Sequence, residues 1–275
     1  MTHSPQTWRL LTTPEASGAF NMALDHSILE QVGAGNLPPT LRLYGWNPAC
    51  LSLGQAQPAS DADAERLRAR GWDLVRRPTG GRAILHTDEI TYSVAFPADH
   101  ALVQGDIVTS YRRLSAALLV ALEHLGYAAQ ADKRHERVPE AAKGPVCFEV
   151  PSDYEITADG RKLIGSAQVR KFGGVLQHGS LPLMGDITRI CDALTFPDEA
   201  TREQVRARVQ GRATTLAAAL GRAASWNEAA RVLAEAFAAS FGVLLEPAEP
   251  TPAEQERAAE LVETVYGAAT WTARR

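Results

Sequence analysis

Residues 147–168 read CFEVPSDYEITADGRKLIGSAQ, and they combine a hairpin signal with two chemically capable side chains. Asp159-Gly160 is a two-residue turn of the kind that joins antiparallel strands, so residues 154–169 are predicted to form a β-hairpin. Cys147 precedes this hairpin, and Lys162, one of only four lysines among 275 residues, follows its turn. Acyl transfer through a thioester would need a thiol and an amine on neighbouring strands. The segment therefore predicts a strand-rich region that carries the candidate chemistry.

Pattern alone leaves the roles of these two side chains open. Most cysteines in reducing compartments are small buried hydrophobes, and this interpretation is kept for Cys50 and Cys191. Cys147 differs because it lies where a loop meets a strand, and a nearby cation such as Lys162 would favour its thiolate form. The apolar residues that follow, Leu163 and Ile164, lie on opposite faces of the strand. The pattern therefore does not fix which way Lys162 points, and a solvated hairpin lysine remains the alternative.

A second segment, RRPTGGRAILH (76–86), predicts a strand that runs into a tight turn. The amides of such a turn can cradle a phosphate or a carbonyl oxygen, with arginine assisting. The alternative is a plain turn with flanking surface arginines, and for His86 and His178 it is a hydrogen-bonded strand histidine. The segment matches neither the GxGxxG nor the Walker pattern, which argues against the standard nucleotide sites. No two histidines have metal-ligand spacing, so no metal site is predicted.

Composition is that of an ordinary globular protein, with 45% hydrophobic residues, 22% charged residues and a net charge of −4. The acidic balance argues against a nucleic-acid surface, and no apolar run approaches the roughly 20 residues that span a bilayer. The N-terminal sequence MTHSPQTWRL has no signal-peptide pattern, and the three cysteines do not form a disulfide framework. A cytoplasmic protein is therefore expected.

Apolar periodicity predicts an α+β fold with mixed, largely antiparallel sheets flanked by helices. Residues 19–32 and 106–125 are predicted helices, the second ending at Gly126, and 61–71 is a shorter one. Residues 131–145 are predicted to form a loop before Cys147. Strands are predicted at 41–46, 50–54, 73–77, 83–96 (as one strand or a hairpin) and 174–183. The whole chain, 1–275, is expected to be one catalytic domain with a core at about 8–185. Its C-terminal part, about 186–275, is expected to be helical, with capping boxes at Ser225/Glu228 and Thr251/Glu254.

These motifs resemble a known superfamily. RRPTGGRAILHTDEITYSV, CFEVPSDYEI, DGRKLIGSAQVRK and GVLQHGSLPL are similar to the lipoate–protein ligases and octanoyltransferases, whose catalytic domain is shared with biotin–protein ligases. RLYGW and LSLGQAQ resemble the upstream strands of that domain. The ATP-dependent ligases have a third glycine where this chain has Arg82, and an Asp-x-Gly-Asn stretch where Thr-Asp-Glu follows His86. The pattern RPTGGRAVLH, CFxxPSxYE and GRKxxGSAQ of the LipM-type octanoyltransferases is matched instead.

The resemblance implies a role for each matched residue. Cys147 would be the acylated nucleophile, and Lys162 would lower its pKa. The implied substrate-binding residues are Arg76, Gly80, Gly81, Arg82, His86, Gly165, Ser166 and Ala167. No ATP or other cofactor is expected. The sequence names no general base for the incoming amine.

The resemblance also implies protein partners. The expected donor is octanoyl-acyl carrier protein, and the expected acceptors are lipoyl-domain proteins such as the glycine cleavage H protein or dehydrogenase E2 subunits. Arg76 and Arg77 are expected to lie on the surface and to help dock these acidic proteins. An ATP-dependent lipoate ligase, an octanoyl amidotransferase acting between lipoyl-domain proteins, and a non-catalytic acyl-binding paralogue remain alternatives.

Overall fold

Two sheets and the helices around them form the structure, a computed structural model that describes residues 5–132 and 155–274. Most of the predicted loop 131–145, and Cys147 with it, lie outside the described residues. The elements before that gap are β1 (Thr7–Thr12), α1 (Gly18–Gly33), β2 (Thr40–Tyr44), β3 (Cys50–Leu53), α2 (Ala64–Ala69), β4 (Asp73–Arg76), β5 (Ile84–His86), β6 (Glu89–Pro97), α3 (Ile107–His124) and β7 (Gln130–Asp132). After it follow β8 (Glu155–Ala158), β9 (Arg161–Lys171), β10 (Gly174–Pro182), α4 (Glu199–Arg212), α5 (Leu216–Leu220), α6 (Trp226–Phe241), β11 (Leu244–Ala248), α7 (Pro252–Leu261) and α8 (Ala269–Thr272).

The larger sheet has eight strands in the order β11-β1-β2-β6-β10-β9-β8-β7. β1 is parallel to both of its neighbours, and every other neighbouring pair in this sheet is antiparallel. A second sheet has the order β4-β3-β5. The predicted α+β class with largely antiparallel sheets is confirmed. Residues 83–96, predicted as one strand or a hairpin, form β5 and β6, which belong to different sheets.

Helices cover both faces of the larger sheet, and its central strands bury side chains on each face. On β6, Tyr92, Val94 and Phe96 point into a core beneath α3 and α6, whereas Thr91 and Ser93 point toward α1. The buried apolar residues of α1 form a second core with α7. A third core lies between the small sheet, a 3-10 segment (Ile187–Asp192) and α4.

Local signals account for several boundaries. The predicted helix 106–125 is α3, capped by the Asp106 carboxylate and followed by Gly126 at a φ of +101°. The predicted hairpin is β8–β9, and its turn residues Asp159 and Gly160 have φ values of +50° and +71°, as a type I′ turn requires.

The C-terminal part is helical as predicted, with one strand that the sequence pattern did not indicate. β11 pairs in parallel with β1 at the edge of the larger sheet. Its sequence, LLEPA, contains Pro247, which an edge strand tolerates because one side of its backbone needs no ladder hydrogen bond. Among the described residues, no helix has the length and apolar character that crossing a membrane would require.

Both predicted caps exist, although only one forms a complete capping box. Thr251 and Glu254 exchange the reciprocal hydrogen bonds of a capping box at the start of α7. Ser225 caps α6, but the Glu228 carboxylate accepts from Arg222 instead of closing the box. The fully buried Glu254 carboxylate also forms a bidentate pair with Arg9 of β1, at 2.6 and 3.0 Å.

Replacing Glu254 with glutamine is expected to lower the free energy of unfolding by about 2 kcal/mol, because the buried Arg9 guanidinium loses its carboxylate charge and one of the two oxygens that accept from it. Urea unfolding at neutral pH measures this change. Glu256→Gln, at an exposed position of the same helix, should change stability by less than about 0.5 kcal/mol. Equal effects of the two substitutions would contradict the prediction.

Candidate functional site

A pocket lies between the two sheets, where strands β9 and β10 face strands β3 and β5. The space between its walls is about 440 Å³, including solvent at its open side. The lining side chains are mainly apolar or small, with two histidines and one arginine among them. They are Met22, Trp46, Ser52, Arg77, Gly80, Gly81, Ile84, His86, Thr91, Gly165, Ser166, Ala167, His178, Gly179 and Ser180.

One wall of the pocket is the pocket loop (residues 77–82), which connects β4 to β5. Gly81 has a φ of +93°, a conformation that favours glycine. The loop also packs against Gly54, where a Cβ would lie only 1.9 Å from the Gly81 carbonyl oxygen. Arg77 holds the loop from within, donating to the carbonyls of Gly80 (2.8 Å) and Arg82 (2.7 Å). The predicted tight turn therefore exists, and these contacts hold it in place as one wall of the pocket.

Arg76 and Arg77 are not surface residues, and the expectation that they lie exposed is wrong. Arg76 is fully buried and Arg77 is 3% exposed. The Arg76 guanidinium donates to the carbonyls of Gly54 (2.8 Å), Gln57 (2.6 Å) and Thr272 (2.7 Å). Buried guanidinium groups are stabilised by such hydrogen bonds, and here backbone carbonyls of the loop after β3 and of α8 supply them. Surface docking of a partner protein cannot involve these side chains.

Lys162 is buried, with 4% of its surface exposed, so the solvated hairpin alternative is wrong. Its backbone is held by Thr214, whose amide donates to the Lys162 carbonyl at 3.0 Å. Its side chain lies against Gly165: a Cβ placed there would be 3.4 Å from Cε and 3.9 Å from Nζ of the lysine. Because Gly165 lines the pocket, the amine of Lys162 lies next to the pocket wall.

His86 belongs to a polar cluster in the pocket wall. Its Nε2 is 2.8 Å from Ser52 Oγ and its Nδ1 is 2.7 Å from Glu89 Oε1. Trp46 stacks on the imidazole, with ring centroids 3.9 Å apart. Both ring nitrogens are thus engaged, and the histidine is fixed in place. This arrangement suits a wall residue rather than a proton acceptor for an incoming amine.

His178 links the pocket to a buried charge network. Its Nε2 is 2.8 Å from Thr79 Oγ1, and its Nδ1 is 3.7 Å from the Asp25 carboxylate. The charge of the nearby carboxylate favours the tautomer with the proton on Nδ1, in which Nε2 accepts from the threonine hydroxyl. Burial lowers the pKa of His178, although Asp25 opposes this, and the imidazole is neutral at pH 7.

Asp25 in turn pairs with Arg42 at 2.8 Å and accepts hydrogen bonds from Tyr44 (2.9 Å) and Ser93 (2.8 Å). Burial by itself would raise the pKa of Asp25, but Arg42 and His178 outweigh it and hold the pKa below 3.8. The carboxylate therefore stays charged beneath the pocket.

The structure brings most of the predicted site residues together. Those that line the pocket are Gly80, Gly81, His86, Gly165, Ser166 and Ala167. Lys162 lies beside the lining, while Arg76 and Arg82 are absent from it and Cys147 lies outside the described residues. Sequence reasoning missed Met22, Trp46, Ser52 and Thr91, which carry no local signal of function. In residues 5–132 and 155–274, no group of three or more His, Cys, Asp or Glu side chains is arranged to hold a metal ion.

The sequence matches a known family of enzymes over most of its length. A family model described as the lipoyl protein ligase A/B catalytic domain matches residues 17–238. The chain is 42% identical to octanoyltransferase LipM of Kyrpidia tusciae, an alignment that covers 98% of this chain and 100% of that protein. It is 36% identical to octanoyltransferase LipM of Bacillus subtilis over 98% of this chain and 99% of that one. The chain belongs to the LipM octanoyltransferase family.

Solved structures show the same fold. A bipartite lipoate protein ligase of Thermoplasma acidophilum superposes with a TM-score of 0.80 at 22% identity, covering 98% of this chain and 96% of that one. A lipoate-protein ligase A bound with ATP gives a TM-score of 0.78 at 23% identity, covering 98% and 99% of the two chains. At 22% and 23% identity, these likenesses show a shared fold and nothing about activity.

Proposed function

We propose that the protein transfers an octanoyl group from acyl carrier protein to a lysine of a lipoyl-domain protein, through a thioester on Cys147. The observation that carries this proposal is the buried amine of Lys162 beside the apolar pocket. A buried ammonium next to a thiol favours the thiolate, which is the nucleophilic form. Membership of the LipM octanoyltransferase family supports octanoyl as the acyl group that is transferred. In this proposal the whole chain acts as one catalytic unit in the cytoplasm.

The first step forms the enzyme thioester. The Cys147 thiolate attacks the carbonyl carbon of the octanoyl thioester, and the bond from that carbon to the carrier sulfur breaks. The carrier leaves as a thiolate and takes up the proton that the Lys162 ammonium holds. One thioester replaces another, so no ATP or other cofactor is needed.

The second step forms the amide. The neutral ε-amine of the acceptor lysine attacks the Cys147 thioester, the carbon–sulfur bond breaks, and Cys147 leaves as a thiolate. The amine loses one proton, which the neutral Lys162 left by the first step takes up. The developing oxyanion is stabilised by Lys162 and by amides of the pocket wall at Gly80–Gly81 or Gly165–Ser166.

The acyl chain occupies the pocket between the sheets. Each buried methylene contributes about 0.8 kcal/mol, so an eight-carbon chain gains most of its affinity from the walls. Ile84, Met22 and Ala167 supply the apolar surface. The glycine cleavage H protein and dehydrogenase E2 subunits are the acceptors in this proposal; nucleic acid and membrane have no part in it.

Intact-mass spectrometry tests the proposal. Incubation with octanoyl-acyl carrier protein, without ATP, is expected to add one octanoyl group that hydroxylamine removes. The adduct is expected to be absent from Cys147→Ser. A protein that stays unmodified, but acylates its target when ATP and free octanoate are supplied, would be a ligase. One that accepts octanoyl only from the H protein would be an amidotransferase.

A further inference from the structure

The C-terminal helix α8 contacts the strand that leads into the pocket loop. The indole Nε1 of Trp271 donates to the Arg76 carbonyl at 2.8 Å. In the opposite direction, Arg76 donates from Nε (3.0 Å) and Nη2 (2.7 Å) to the Thr272 carbonyl. Arg76 is thus bound by α8 through both its main chain and its side chain.

Arg76 is the last residue of β4, and the pocket loop begins at the next residue. Its remaining guanidinium nitrogen donates to the carbonyls of Gly54 and Gln57. Gly54 is the residue against which Gly81 packs. One buried side chain therefore connects α8 to the start of the pocket loop and to the backbone that supports its far end.

Trp271 also packs against the apolar core under α1, the core to which Met22 of the pocket lining belongs. Arg274 covers the outer face of the indole, with its guanidinium carbon 3.5 Å from the ring centroid. A four-residue helix has no stability of its own, so these contacts hold α8 in place.

We propose that Trp271 and Arg76 are positioning residues for acyl transfer: α8 fixes the pocket loop and thereby sets the length of acyl chain that the pocket accepts. This inference rests on the proposed function, because it assigns the pocket to the acyl group. In this proposal the two residues act through the loop wall formed by Gly80 and Gly81.

Two variants test the inference. Trp271→Phe keeps an aromatic ring but loses the hydrogen bond to Arg76, and a chain that stops after Ala268 loses α8 entirely. In both, amide hydrogen exchange in peptides covering 77–82 is expected to rise about tenfold or more, while exchange in α3 stays unchanged. The ratio of kcat/KM for octanoyl- over decanoyl-acyl carrier protein is expected to fall about fivefold.

A matched control separates positioning from general stability. Glu254→Gln weakens the fold at a residue that does not line the pocket, and a loss of folded protein lowers both kcat/KM values equally. Its selectivity ratio is therefore expected to match that of the wild-type protein. A ratio that stays constant in both α8 variants would overturn the inference, as would loop exchange at the wild-type rate. If the wild-type protein is not acylated at all, the proposed function fails, and the exchange experiment alone decides whether α8 holds the loop.

Discussion

Replacing Lys162 with methionine is expected to slow octanoylation of Cys147 by at least about a hundredfold, because the thiolate loses its cation and the leaving sulfur its proton donor. Methionine retains the apolar length of the buried stem, so the fold should persist. Single-turnover acylation by octanoyl-acyl carrier protein, followed by intact mass, measures the rate. The pH profile adds a second readout: without the lysine, acylation should rise with pH toward the range where an ordinary thiol ionises.

Lys171 offers the matched control. It lies at the exposed end of the same strand, β9, so Lys171→Met removes one positive charge and leaves the pocket intact. Acylation by this variant is expected to stay within about twofold of the wild-type rate, because exposed charges contribute little. A Lys162→Met protein that is folded and reacts at the wild-type rate would remove the lysine from the mechanism.

Replacing Asp25 with alanine is expected to lower the free energy of unfolding by about 3–5 kcal/mol. The substitution leaves the Arg42 guanidinium buried without its carboxylate, and it takes an acceptor from Tyr44 and Ser93. Because His178 loses its charged neighbour as well, the pocket wall at β10 should also loosen. Urea unfolding at pH 7 measures the loss. A change below about 1 kcal/mol would show that water or a rearranged side chain replaces the carboxylate.

The loss of stability caused by Asp25→Ala also depends on pH. The pKa of Asp25 in the folded protein lies below the ordinary value of 3.8, so its stabilising contribution is complete above that pH. The contribution is lost as the pH falls from 3.8 through the folded-state pKa. The carboxylate's own share of the stability difference between wild type and Asp25→Ala should therefore be constant from pH 7 to about 4 and shrink below it. Because Asp25 also raises the pKa of His178, its loss further destabilises the variant as the pH falls below 6.5. A difference that grows as the pH falls below about 4 would contradict the prediction.

Local sequence signals predicted much of this fold because they act over a few residues. The Asp159-Gly160 turn, the apolar steps of α3 and the cap at Thr251 each depend on neighbours along the chain, and each exists as predicted. β11 was missed because its pairing with β1 joins residues more than two hundred positions apart. Five residues with one proline carry no strand signal of their own.

In the candidate site, too, the features set by neighbouring residues were predicted and those set by distant residues were not. Gly80, Gly81 and Gly165 were found from their motifs, and all three line the pocket. Whether Lys162 is buried depends on the loop at Ala213–Thr214, which covers it from outside the hairpin, so alternation along β9 could not decide it. The sequence suggested that Arg76 is exposed, because two arginines before a turn usually lie on the surface. Its partner, Thr272, lies close to the other end of the sequence.

The pairing of β1 with β11 also has a consequence for how the chain is made. A ribosome releases Thr7–Thr12 more than two hundred residues before Leu244–Ala248, so β1 remains an open edge of the larger sheet while that stretch is made. Trp8, on the early strand, meets its stacking partner Phe241 only at that late stage, with ring centroids 5.6 Å apart. Contacts of such sequence separation are slow to form. β1 is therefore expected to gain its second neighbour late in folding, once β11 has been made.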